Sequence, residues 1–219
     1  MDSQKPPPPF RGKAPTTFVQ SVLYAWDGLI HTAVHQRNMR MHLIAAIMVG
    51  LVGSGIPLGL AEKVTMIFCV LLVLFAEVLN SALEQLVDLA TDVQHENARH
   101  AKDAAAAGVL VLAIGSMVIF ALILVQNADT IMSSGAMIER QVLVGVPITF
   151  LGGALMHEQK KPLWLDGLMF FVALCLLGYT CTWTESYVLS AMTFGMLVVC
   201  VSAAWKRQHE RAAQQTRPQ

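Results

Sequence analysis

Charge is scarce in this chain. Asp, Glu, Lys and Arg supply 14% of its 219 residues, 55% are hydrophobic, and mean hydropathy is +0.54. Soluble domains carry about 25% charged residues, so the deficit excludes an ordinary soluble fold and points to a polytopic membrane protein. Acidic and basic residues balance at fifteen each, which leaves no basic footprint for a nucleic-acid partner. Cysteine is equally sparse. Cys69, Cys175, Cys181 and Cys200 show neither CxxC nor metal-ligand spacing, which argues against a disulfide framework and for small buried hydrophobes. A glycine-rich phosphate loop and any soluble-kinase signature are missing. The start, MDSQKPPPPF, lacks the apolar core of a signal peptide. Its four prolines predict a stiff, extended leader over residues 1–15.

Long apolar runs are plentiful. A bilayer-spanning helix needs about 20 residues, and six stretches approach that length: Met41–Leu58, Val64–Leu89, Ala104–Val125, Gln141–Met156, Leu163–Thr182 and Ser186–Trp205. Ahead of them, Phe18, Val22, Trp26, Leu29 and Ala33 recur at helical spacing, as in an amphipathic helix lying on a membrane surface. The expected fold class is an all-α integral membrane protein. With the N-terminus on the inside, thirteen of the fifteen Lys and Arg residues fall inside, and only Lys63 and Arg140 outside. The positive-inside rule therefore favours six crossings with both termini cytoplasmic, as in an inner-membrane protein.

The second run breaks its own rule. In "LLVLFAEVLNSALEQLVDLA" (71–90), Glu77, Asn80, Glu84 and Asp88 interrupt lipid-grade sequence. Each charge near the bilayer centre costs roughly 2.5–3.5 kcal/mol on insertion scales. Spacings of three and four residues gather the four onto one helix face. Glu84 falls near the hydrocarbon edge, and Glu77 lies about 10 Å deeper at 1.5 Å per residue. An interfacial carboxylate can hold Mg²⁺ against ATP phosphates, and a deeper one can accept a proton from a lipid hydroxyl. Interhelical hydrogen bonding or an ion pathway would use the same residue types, so spacing alone leaves three readings open.

"AEVLNSALEQLVD" (76–88), followed by "HAKDAAAAG" (100–108), resembles the prokaryotic diacylglycerol kinase family, which includes the undecaprenol kinases. "YAWDGL" (24–29) and "QRNMRMHL" (36–43) look like that family's surface helix and the entry to its first span. The resemblance runs over about residues 11–126. It implies a surface helix with three transmembrane helices (a lipid kinase domain, 16–126), a homotrimer, and ATP- and Mg²⁺-dependent phosphorylation of diacylglycerol or undecaprenol. It matches Glu77 to the catalytic base and Asn80 to its orienting neighbour. Glu84 and Gln36 fall at the metal positions, and Glu84, His95, Lys102, Asp103 and Tyr24 at the nucleotide. Arg40, Trp26 and Ala106 fall toward the lipid substrate. Two departures stand out: Gln36 replaces a second acidic metal ligand, and Ala104–Ala107 replaces a stretch richer in Gly and Ser. A non-enzymatic transporter or scaffold retaining the kinase fold is the alternative.

Residues 127–219 form an accessory three-helix membrane region with no recognised role. Arg140, Asp166 and Glu185 lie near span ends, where anchoring is expected, and Trp164, Trp183 and Trp205 suit interfacial belts. Lys160 and Lys161 read as markers of the inner surface, and Gly152–Gly153 as either a close helix contact or a loosened turn.

Overall fold

The structure, a computed structural model, describes residues 16–91, 95–159 and 161–215; the leader and Lys160 lie outside the described residues. All regular elements among them are helices: α1 (Phe18–His35), α2 (Arg37–Ser54), α3 (Leu60–Ala90), α4 (Glu96–Gln126), α5 (Ala128–Ser133), α6 (Gly135–Met156), α7 (Leu163–Thr180) and α8 (Tyr187–Gln215). The fold is the expected all-α integral membrane class. Five helices, α3, α4, α6, α7 and α8, are long and apolar enough to cross a membrane.

The first expected span, Met41–Leu58, departs from that set. Its helix stops at Ser54 and begins with Arg37 and Arg40, so fewer of its residues are both apolar and helical. α2 instead forms the spine of the bundle, packed by α3, α6 and α8. It still runs from one end to the other. At its start Gln36 bonds Glu84 of α3, and at its finish Ser54 bonds Gln141 of α6. α6 begins at Gly135, six residues before the apolar run, and continues through Pro147.

Hydrocarbon offers no hydrophobic drive between helices, so close packing and hydrogen bonds must hold them together. Gly50 lets α2 meet α8: a Cβ there would stand 2.3 Å from Thr193 Oγ1 and 3.2 Å from the Leu189 carbonyl oxygen. Gly152 serves the α2–α6 crossing, where a Cβ would meet Ile47 Cδ1 at 2.8 Å, so the close-contact reading holds for that glycine. The core joins both halves of the chain: Met39, Leu43 and Ile47 pack with Ile148, Leu155, Leu197 and Cys200.

The two ends of the bundle differ. At one, Trp183 Nε1 donates to Gln141 Oε1 (3.1 Å), and Lys63 donates to the Glu185 carbonyl (2.9 Å). At the other, Arg207, buried on α8, donates to the carbonyls of Leu155 and Met156, both at 2.8 Å, and Lys161 donates to that of Ala154. These cations satisfy the orphan carbonyls that end α6 and oppose its dipole. Burial holds the Lys161 ammonium below its ordinary pKa, against Asp166, which raises it, while Arg207 lowers it further. Asp166 itself corrects an expectation. It is buried, with Oδ2 accepting from Gln208, rather than an exposed anchor. Cys175 is likewise exposed rather than buried.

α1 is amphipathic along its length but docked only at its C-terminal half. Thr17 caps it, accepting from the Gln20 N–H at 3.2 Å. Ile30, Ala33 and Val34 are buried, whereas Phe18, Val22 and Trp26 are exposed.

Candidate functional site

The site grows from the buried face of α3. Met66, Val70, Val73, Leu74, Glu77, Asn80 and Ser81 are its buried residues, a single stripe at helical spacing. Its first four members are apolar; the next turns carry the carboxylate and amide. Glu77 is 1% exposed and Asn80 4%. Among the described residues, both Glu77 oxygens and the Asn80 Oδ1 are buried without a hydrogen-bond partner. Buried polar atoms are nearly always satisfied, and each exception calls for a reason.

One turn higher, α3 meets the elbow between α1 and α2. Gln36 alone separates the two helices, in extended conformation (φ −97°, ψ 118°), serving as C-cap of one and N-cap of the other. From there its Nε2 donates to Glu84 Oε2 at 2.9 Å, while Asn80 Nδ2 donates to Glu84 Oε1 at 3.2 Å. Two neutral amides thus hold a half-buried carboxylate, one on each oxygen. A glutamate at position 36 could not donate this bond unless protonated, so the departure at Gln36 has a direct structural consequence.

Lys102 reaches the stripe from α4, where it pairs with Asp88 one turn beyond Glu84. Asp103 is exposed and pairs with Arg99 at 3.9 Å, four residues back on its own helix. His95 turns its ring inward on its own helix, accepting from the Asn97 N–H at 3.2 Å as the N-cap of α4. Tyr24 and Trp26 are exposed on α1, and Ala106 is exposed on α4. Arg40 goes elsewhere. It donates to the Val34 carbonyl (2.8 Å) and to Glu158 Oε1 (2.5 Å) between α6 and α7. The structure therefore gathers Gln36, Asn80 and Glu84 by direct bonds, with Glu77 below them and Lys102 one turn outward. Among the described residues, no hydrogen bond or ion pair joins Asp103, His95, Tyr24, Trp26, Ala106 or Arg40 to that group.

Asp88 and Glu158 escaped the sequence reading of the site. Asp88 already stood in the α3 stripe, but its pairing with Lys102, 14 residues on, was not read from it. Glu158 lies 118 residues from Arg40, and nothing local announces that pair.

The donor set suits a hard cation. Mg²⁺ takes one or two carboxylates, the rest of its shell being phosphate oxygens and water, and Glu84 keeps lone pairs beyond the two amide bonds. Below the polar turns, an apolar cavity of about 190 Å³ is lined by His42, Val70, Val73, Leu74, Ser116 and Phe120, among others.

A family model described as Prokaryotic diacylglycerol kinase matches residues 23–124. The undecaprenol kinase of Bacillus subtilis is 38% identical over 106 residues, covering 48% of this chain and 86% of that protein. The diacylglycerol kinase of Synechocystis is 36% identical over 107 residues, 48% of this chain and 61% of the relative. That of Escherichia coli K12 is 28% identical over 109 residues, 50% of this chain and 89% of the relative. No solved structure gives a significant match. With its helices, its α3 stripe and these relatives taken together, the chain belongs to the prokaryotic diacylglycerol kinase family and is a multi-pass membrane lipid kinase.

Proposed function

We propose that the chain transfers the γ-phosphoryl group of ATP to the hydroxyl of a membrane lipid at the end of α3 that bears Glu77 and Glu84, facing the cytoplasm. The lipid oxygen bonds to the γ-phosphorus, the bond to the ADP leaving oxygen breaks in line, and the hydroxyl proton passes to Glu77. The observation that carries this reading is Glu77 itself, a buried carboxyl about two turns of α3 below Glu84, with neither oxygen partnered among the described residues. Holding such a group is costly, and a general base repays it by about 10²–10⁴ in rate.

Asn80 stands between the two carboxylates, its amide nitrogen committed to Glu84 and its oxygen free toward the reacting groups. Glu84, with Gln36 as a neutral oxygen or amide donor, would hold Mg²⁺, which neutralises phosphate charge as the transfer proceeds. Lys102 suits a phosphate contact as a compact charge, moving to it from Asp88; Asp103, His95 and Tyr24 border the nucleotide on the open side. The cavity beside Leu74 can take the first carbons of an alkyl or prenyl chain. Arg40 would meet the lipid only if the approaching substrate displaced the Arg40–Glu158 pair; Trp26 and Ala106 are exposed and need no such displacement. A homotrimer would cover the exposed apolar faces of α3 and α4. Residues 16–126 would then form the kinase unit, with 127–219 as an accessory region that completes its core.

The test is transfer of labelled phosphate from ATP to lipid in vesicles, with diacylglycerol and undecaprenol supplied separately, with and without Mg²⁺. Labelled product with one lipid, abolished by chelation of Mg²⁺, supports the reading and names the acceptor. No labelled lipid with either would overturn it.

A further inference from the structure

A second cluster of ligating groups lies on the other side of the elbow. His31 and His35 are four residues apart on α1, which puts both rings on one face; their centroids are 4.1 Å apart. Glu210 of α8 reaches the same point, its Oε2 lying 3.6 Å from His35 Nε2. One ligand atom from each of the three residues can be chosen so that all lie within 4.8 Å of one another.

We propose that His31, His35 and Glu210 form a binding site for a transition-metal ion of the Zn²⁺ class that staples α1 to α8. Two imidazoles and a carboxylate are a donor set for such ions rather than for Mg²⁺. Tetrahedral bonds of about 2.0–2.2 Å require donor atoms about 3.3 Å apart. His35 and Glu210 are 47% and 37% exposed, so their side chains have room to close that gap.

The second nitrogen of His35 has a partner as well. His35 Nδ1 lies 2.9 Å from the His31 carbonyl oxygen, which can only accept, so Nδ1 donates there and Nε2, on the Glu210 side, is the ring nitrogen left to take an ion. Metal-bound histidines usually donate their second nitrogen in this way. The neighbouring cation, Lys206, is engaged elsewhere: its Nζ lies 2.6 Å from Asp27 Oδ1.

An ion here would tie the accessory region to the last turn of α1. His35 directly precedes Gln36, the elbow residue that bonds Glu84, so the staple would fix the position from which Gln36 works. That consequence rests on the proposed reading of Glu84; the metal site does not.

Calorimetric titration of the full chain with Zn²⁺ in excess Mg²⁺, joined to the visible spectrum of Co²⁺, tests the site. One ion per chain is expected, with affinity falling at least tenfold in each of His31→Gln, His35→Gln and Glu210→Gln. The exposed pair on α4, His100 Nε2 lying 3.6 Å from Glu96 Oε1, is the control, and His100→Gln should leave the affinity unchanged. Zn²⁺ should also slow amide exchange in the last turns of α1 and near Glu210. Absence of stoichiometric binding in the wild type overturns the site, as does binding indifferent to His31→Gln and Glu210→Gln. Binding without slowed exchange overturns the staple. None of these readouts uses lipid phosphorylation, so the site and the kinase reading fail separately.

Discussion

Two buried carboxylates divide this molecule. Glu77 on α3 and Asp166 on α7 are 1% and 3% exposed, and each has unpartnered oxygen. Asp166 nevertheless sits among helpers: Gln208 donates to its other oxygen, and Lys161 and Arg207 lie close enough to interact with it electrostatically. Glu77 has no hydrogen-bond partner among the described residues, and its charged neighbour is another carboxylate, Glu84. The first is a joint that helps close α7 and α8 over the end of α6. The second is a group kept without structural return. The difference separates a polar residue that holds the bundle from one held by it.

The comparison breaks most visibly in turnover. Glu77→Gln should lower lipid phosphorylation by about 10²–10⁴-fold, whereas Asp166→Asn should leave activity per folded molecule within about twofold. An equal loss in both would erase the distinction. Next in size is the spine between the two regions. Gly50→Val drives side-chain atoms into Thr193 and the Leu189 carbonyl, and overpacking of that kind costs about 1–3 kcal/mol, read as a lower midpoint in detergent melts. Asp166→Asn should cost a similar or smaller amount, about 1–2 kcal/mol, by weakening a buried hydrogen bond beside two cations.

Smaller still is Glu158→Gln. Its partner Arg40 is largely buried, but Glu158 is 61% exposed, so the pair should contribute under about 1 kcal/mol. The smallest effect concerns pH. Lys161 has a folded pKa below its unfolded value. Between the two the unfolded chain therefore binds more protons, and stability rises with pH. Lys161→Met should flatten that alkaline rise in melting temperature.

Much of this was legible from residue order. The α3 stripe follows from spacing alone, because one helix face collects positions three and four apart. Five of the six expected spans recur as long apolar helices. The limits were equally physical. A charge at a span end normally faces water, so Asp166 reads as an anchor until α8 is seen to bring Gln208 against it. Met41–Leu58 looks like a lipid-facing span because apolar sequence does not reveal whether lipid or protein will cover it; in α2 the cover is α3, α6 and α8. Lys102 was expected beside the α3 acids only through the family resemblance. The partners of Arg40 and His35 were not legible, since they come from helices whose arrangement no local pattern encodes.

The sharpest test joins stability to turnover in one sample. Thermal midpoint and lipid phosphorylation should be measured together for wild type and Glu77→Gln in the same detergent–lipid mixture. Activity should collapse while the midpoint stays level or rises, because a costly buried acid has been replaced by a neutral amide. A midpoint that falls in step with activity would show Glu77 to be interhelical glue and contradict its role as the base.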